Sequence, residues 1–140
     1  HKGLYRVAPD GKVTLECQDL KLPNGVAITP DGKTLYVNEF GEQKVMAFDV
    51  GADGSVGAPR VFADLKSFNK GKRGGADGLK VDASGRVFTT GPGGIYCLSP
   101  EGALLDFVGV AGCSNVAIGG DDGKTLFITA GGRVMKVGLK

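Results

Sequence analysis

Short runs of alternating or continuous apolar residues recur along the whole chain. They are "LYRV", "KVTLEC", "GVAIT", "TLYVNE", "KVMAFDV", "RVFAD", "GLKVD", "RVFTT", "GIYCL", "ALLDFVGV", "NVAIG", "TLFITA" and "RVMKV". Val, Ile, Phe, Tyr and Thr dominate the runs, and Gly, Pro, Asp and Asn separate them, which is the grammar of strands and hairpins. No stretch keeps apolar residues at i, i+3, i+4 and i+7 over three turns, so essentially no helix is expected. The pattern predicts an all-β fold.

The separators repeat as well. "APDGKV", "TPDGKTLYV", "GADGSV", "DASGRVFTT", "SPEGALL" and "GDDGKTLFIT" are six versions of one turn: an acidic or small residue, then Gly, then the next strand. Gly suits such a turn because it accepts positive φ without steric cost. Gly32, Gly85 and Gly123 precede runs of the "TLYV" kind, while Gly11, Gly54 and Gly102 belong to more polar hairpins. Within each class the spacing is about 40 to 50 residues, the size of a four-stranded propeller blade. Thirteen runs amount to about three blades, fewer than the roughly four to eight that close a ring. Residues 1–140 are therefore expected to form a single incomplete propeller segment. The chain starts at His1-Lys2-Gly3 and runs at once into a strand, which reads as a protein whose N-terminal blades are missing. Such a piece alone would leave two sheet faces uncovered and prone to association, two copies completing a ring being one form of it.

Composition narrows the classes of function. Hydrophobic residues are 41% and charged residues 23% of the chain, which fits a globular protein and not a disordered one. A net charge of +2, with scattered charges, gives no argument for nucleic acid or a membrane surface. No apolar run approaches the roughly 20 residues that span a bilayer, and the compartment, cytoplasmic or exported, is left open. Cys17, Cys97 and Cys113 form no CxxC pair and read as small buried or half-buried hydrophobes. The stretch "LKSFNKGKRGGA", residues 65–76, carries Lys70, Lys72 and Arg73 and reads as a solvated loop, with steering of an anionic substrate as the lesser reading. "GPGGIY" lacks a helix N-terminus and a GK[ST], so it reads as a hairpin and not as a phosphate cradle.

One polar position survives this sorting. Aligned on their turn glycines, "NGVAITPDG", "DGLKVDASG" and "NVAIGGDDG" place Asn24, Asp77 and Asn115 eight residues ahead of the glycine. Each is an oxygen donor opening a short apolar strand. In a propeller the first strand of each blade lines the central channel, so these residues would converge at one rim. Amide and carboxylate oxygens are hard donors suited to Ca²⁺, Mg²⁺, Mn²⁺ or, less selectively, Zn²⁺. The competing reading is that each residue only bonds nearby backbone N–H groups as a turn former. Recurrence at one repeat position favours the cation site, most for Asn24 and Asp77 and least for Asn115, which no Gly follows. Asp31, Asp53, Asp121 and Asp122 fall in hairpin turns and read as structural.

The lone histidine is His1, at the ragged end, and no GxSxG is present, so a Ser-His-Asp or Cys-His centre is not available. A cation needs neither, since it polarises a carbonyl oxygen as a Lewis acid and holds the attacking water. Asp77, the only carboxylate of the set, is the candidate for both ligation and proton transfer.

At these residues the sequence resembles the gluconolactonase / senescence-marker-protein (regucalcin) family. "LPNGVAITPDGKTLYVNE", "ADGLKVDASGRVFTTGPGGIYCLSPEGALL" and "SNVAIGGDDGKTLFITA" carry the likeness, which corresponds to the C-terminal half of a member. The resemblance implies a six-bladed propeller that hydrolyses a sugar lactone with one divalent cation on its axis. Asn24 then matches a metal-ligating Asn, Asp77 a ligating Asp that also accepts a proton, and Asn115 lies near the site. The family's remaining Glu ligand and its substrate-binding residues belong to earlier blades, so this segment would supply part of a site. The rival expectations are a non-enzymatic propeller whose structural axial cation supports a binding module, and a related propeller with arylesterase-like or strictosidine-synthase-like chemistry.

Overall fold

The structure is a computed structural model that describes residues 2–68 and 71–140; His1 and Lys70, both singled out above, lie outside the described residues. Thirteen strands run in chain order among them. They are β1 (Leu4–Val7), β2 (Val13–Cys17), β3 (Pro23–Ile28), β4 (Thr34–Glu39), β5 (Lys44–Asp49), β6 (Arg60–Asp64), β7 (Leu79–Val81), β8 (Val87–Gly91), β9 (Gly94–Leu98), β10 (Leu104–Gly109), β11 (Cys113–Gly119), β12 (Thr125–Ala130) and β13 (Arg133–Gly138). They form four antiparallel sheets with neighbours in sequence paired: β1-β2, β3-β4-β5-β6, β7-β8-β9-β10 and β11-β12-β13.

The turns assign each sheet its place in the repeat. Gly32, Gly85 and Gly123 connect the first strand of a sheet to its second, while Gly54 and Gly102 connect the third to the fourth. Gly11 joins β1 to β2 with the latter type of turn, so β1-β2 matches the outer half of a blade. The chain thus holds an outer hairpin, two complete four-stranded blades and the first three strands of another. All six turn glycines have positive φ, from 67° to 88°, and the N–H of each closes its turn onto the carbonyl three residues earlier. Asp31, Asp53 and Asp122 accept backbone N–H groups within these turns, as structural residues should. "GPGG" is a two-residue hairpin at Pro92-Gly93, with Gly91 paired to Gly94.

The core lies between successive sheets, because alternate residues of a strand point to opposite faces. On β4, Val37 packs with Cys17, Leu20 and Phe48 against the outer hairpin. Its neighbour Tyr36 packs with Leu79, Val87 and Tyr96 against the next blade. On β8, Val87 belongs to that second core, whereas Phe88 joins Ile95, Val116, Leu126 and Ile128 in a third. Every residue of β8 is buried as a result. At the two ends of the series large apolar side chains stay exposed: Val7, Val13, Val26 and Ile28 at one, Val134 and Met135 at the other. Cys17 and Cys113 are buried, Cys97 is half-buried, and all three are free thiols.

The stretch 65–76 departs from the solvated loop expected of it. It opens with a short helix, α1 (Leu65–Phe68), whose first turn is capped by the Asp64 carboxylate accepting the Lys66 N–H at 3.0 Å. Leu65 and Ala76 are fully buried in the core between the two complete blades. The apolar ends of the segment fold inward while Lys72 and Arg73 remain exposed.

Candidate metal and active site

The inner strands β3, β7 and β11 begin side by side, joined by backbone bonds from blade to blade. The Gly25 N–H donates to the Asp77 carbonyl at 2.8 Å, and the Gly78 N–H donates to the Ser114 carbonyl at 2.9 Å. This repeated bond explains both glycines. A Cβ on Gly25 would collide with the Asp77 carbonyl oxygen, and one on Gly78 would lie 2.8 Å from the Asn115 Cα. The dipeptides Asn24-Gly25 and Asp77-Gly78 are therefore not hairpin turns. They are the points where neighbouring blades touch.

The same bond corrects one register. Gly25 meets the residue before Gly78, and Gly78 meets Ser114, so Ser114 is the third counterpart of Asn24 and Asp77. Strand pairing agrees, since Val26, Leu79 and Val116 face Val37, Thr89 and Ile128 at matching places. Asn115 takes the glycine position, one step along, because "GGDDG" is one residue longer than "TPDG" or "DASG". Its side chain lies over Gly78, and its amide oxygen accepts the N–H of Val116 at 2.9 Å. Asn115 is thus at the row of mouths, with its oxygen engaged locally. The Ser114 hydroxyl contacts that of Thr129 at 2.9 Å.

Asn24 and Asp77 differ from these. Asn24 is exposed and Asp77 half-buried, and among the described residues neither side chain has a hydrogen-bond or ion-pair partner. Free amide and carboxylate oxygens on adjoining strand ends are the donor chemistry a hard divalent cation takes. No group of three or more His, Cys, Asp or Glu side chains gathers among the described residues.

Buried groups hold the mouths from beneath. Glu39, 3% exposed at the end of β4, accepts the N–H groups of Lys21 at 2.7 Å, Leu22 at 2.8 Å and Gly41 at 3.1 Å. It thereby fixes the segment that leads into Asn24. Asn38, Thr89 and Thr90 form a fully buried polar group under Asp77. Residue-type reading passed over all four because they sit inside strands that look like core. The signal was present: "TLYVN", "RVFTT" and "TLFIT" each end on a polar residue at the same place. Burial pushes the Cys113 thiol up, and the negative charge of Asp77 adds to this, so the cysteine stays a neutral thiol beside the site.

Antiparallel sheets packed face to face behind a row of inner-strand mouths define a β-propeller segment. The chain belongs to the SMP-30/Gluconolactonase/LRE-like region family, whose model matches residues 1–132. A gluconolactonase of Zymomonas mobilis is 32% identical over all of this chain and 41% of its own length. A 6-deoxy-6-sulfogluconolactonase of Pseudomonas putida is 28% identical over 91% of this chain and 44% of its own. Among solved structures, a gluconolactonase of Xanthomonas campestris superposes with a TM-score of 0.80 at 32% identity, covering 97% of this chain and 44% of that one. A calcium-binding regucalcin of Agrobacterium tumefaciens gives 0.74 at 30% identity, covering 89% and 43%. The chain thus spans less than half the length of the relatives it matches. No helix among the described residues is long and apolar enough to cross a membrane.

Proposed function

We propose that this chain supplies part of the active site of a sugar-lactone hydrolase, with Asn24 and Asp77 among the ligands of one divalent cation. The observation that carries the reading is the contact of the two mouths. The Gly25 N–H to Asp77 carbonyl bond joins the backbones beside two side chains that have no hydrogen-bond or ion-pair partner among the described residues, which supports the reading. Relatives named gluconolactonase and lactonase support the substrate class, and the calcium-binding relative supports a divalent cation.

When bound, the cation supplies Lewis-acid polarisation of a carbonyl oxygen. Asn24 offers a neutral amide oxygen that orients without adding charge. Asp77 offers the carboxylate of the pair, the group type that can accept a proton from water. As the water oxygen bonds to the lactone carbonyl carbon, Asp77 takes its proton. The acyl–oxygen bond of the ring then breaks, and the proton passes to the departing ring oxygen, leaving the hydroxy acid. Asn24 is exposed and Asp77 half-buried, which leaves both side chains within reach of a small polar substrate.

In the full-length protein, Asp77→Ala should abolish both turnover of glucono-δ-lactone and Ca²⁺ binding measured by calorimetry. Turnover that survives with cation present would sink the assignment. Cation binding by the unaltered protein without hydrolysis across a panel of lactones would instead favour a structural cation in a binding module.

A further inference from the structure

Asp77 stands on backbone that the ladder of its own sheet does not reach. The last backbone bond from β8 to this segment runs from the Thr90 N–H to the Gly78 carbonyl at 3.0 Å, and β7 pairs with β8 from Leu79 onward, so residues 75–77 lie ahead of that ladder. Side chains from two blades take its place. The Thr90 hydroxyl, on β8, donates to the Gly75 carbonyl at 2.9 Å and accepts the Asp77 N–H at 2.8 Å. The Asn38 amide, on β4 of the preceding blade, donates to the Asp77 carbonyl at 2.9 Å and to the Thr89 hydroxyl at 3.0 Å. Gln43, in the β4–β5 turn, accepts the Ala76 N–H at 3.0 Å and is itself held at a φ of 58°.

Asn38, Thr89 and Thr90 are fully inaccessible to solvent, and no buried side-chain polar atom among the described residues lacks a partner. Polar groups buried at this depth cost free energy unless every bond is made, and well-packed apolar residues serve a core as well. Stability alone therefore does not account for them. What they do that Val or Leu cannot is grip the Asp77 residue at both its N–H and its carbonyl. Asn38 also belongs to the blade that carries Asn24, so one side chain links the two mouths.

We infer that Asn38 and Thr90 are positioning residues of the hydrolytic site, setting the Asp77 carboxylate at a fixed separation from Asn24. The inference rests on the reading of Asp77 as ligand and proton acceptor. It assigns no contact with substrate to either residue. Their effect passes through the Asp77 backbone.

The test uses the full-length protein, glucono-δ-lactone as substrate and Ca²⁺ as cation. Thr90→Val keeps the shape and removes the hydroxyl, and Thr90→Ser keeps the hydroxyl. Ser99→Ala removes a comparably buried hydroxyl from the β9–β10 turn, where it accepts the N–H groups of Glu101 and Ala103. Thr90→Val should lower kcat by about 10- to 100-fold, the range for a small misplacement of a catalytic group, with KM nearly unchanged and Ca²⁺ binding weakened. Thr90→Ser should restore both, and Ser99→Ala should lower Tm without moving kcat. Wild-type kcat and Ca²⁺ affinity in Thr90→Val would overturn the inference, as would an equal loss of kcat in Ser99→Ala. If Thr90→Val does not fold, Asn38→Asp, which turns a donor into an acceptor against the Asp77 carbonyl, carries the same expectation and the same refutation. Asp77→Asn run alongside separates the two claims. Full turnover in that variant removes the hydrolytic reading itself, whereas an inactive Asp77→Asn beside an unaffected Thr90→Val removes only the positioning role.

Discussion

Asn24 and Asp77 occupy equivalent places at the mouths of β3 and β7, yet they are held in different ways. Asp77 lies between two blades, half-buried, and its backbone is gripped by Asn38 from one side and Thr90 from the other. Asn24 is exposed, and the segment before it is held by the Glu39 carboxyl, which accepts the Lys21 and Leu22 N–H groups, and by the Phe40 N–H donating to the Leu22 carbonyl at 3.0 Å. A strand mouth flanked by blades on both sides can be fixed by neutral side chains, each making one or two bonds. The Asn24 mouth instead uses a carboxyl group, whose two oxygens accept three N–H groups at once. The carboxylate at the end of β4 therefore does for Asn24 what a network does for Asp77.

The contrast can be broken most forcefully at the bond that joins the two mouths. Gly25→Ala in the full-length protein should push the Asp77 carbonyl away, costing about 1–3 kcal/mol of stability by overpacking together with most of the turnover. Gly138→Ala, where a Cβ meets nothing within 4 Å, should leave both unchanged. Chemical denaturation and initial rates on the two variants decide this, and equal behaviour would mean that the close approach is not needed.

A smaller effect is expected at Glu39. Glu39→Gln replaces one accepting oxygen by a donor facing backbone N–H groups, so about 1–3 kcal/mol should be lost for the unmet bonds. Ca²⁺ affinity should fall through Asn24 while the Asp77 side of the site keeps its geometry. Calorimetry should then show that Glu39→Gln causes no further loss of Ca²⁺ affinity in an Asn24→Ala background. Additive losses would separate Glu39 from the site.

The smallest effect concerns the turn below Asp77, away from both mouths. Asp82 is half-buried; its burial alone would raise the carboxyl, but hydrogen bonds from Ser84 and Arg86 outweigh that and hold it below the ordinary carboxylate range. A group with a lowered folded-state value contributes stability above its unfolded value, near pH 4, and loses it as pH falls through the folded one. Asp82→Asn should therefore lower Tm by a few degrees at neutral pH, and the gap to the wild type should close below about pH 4. A gap constant with pH would remove the ionic contribution.

Much of the fold was legible from particular residues. The six turn glycines announced the hairpins because positive φ is steeply selective for Gly. The two classes of turn, at Gly32, Gly85 and Gly123 and at Gly11, Gly54 and Gly102, already separated inner from outer hairpins of a blade. The polar residues Asn24 and Asp77, each an ordinary turn former taken alone, stood out because an oxygen donor recurs at the same place in the repeat. Asn115 was displaced by one because counting back from a turn glycine assumes turns of equal length, and "GGDDG" holds one residue more.

The chain by itself determined the period, the turns and the order of strands, since these follow from local φ preferences and from the alternation of side chains along a strand. Only the tertiary structure decided which mouths touch, that Ser114 and not Asn115 is the third counterpart, and that Asn38, Thr90 and Glu39 hold the others in place. Those facts depend on blade-to-blade contacts between residues up to about 50 positions apart, and no local preference encodes a bond whose partner lies in another sheet. The same physics explains Gly25 and Gly78. As letters they follow Asn and Asp like turn residues, and in the fold they are the clearance that lets one blade meet the next.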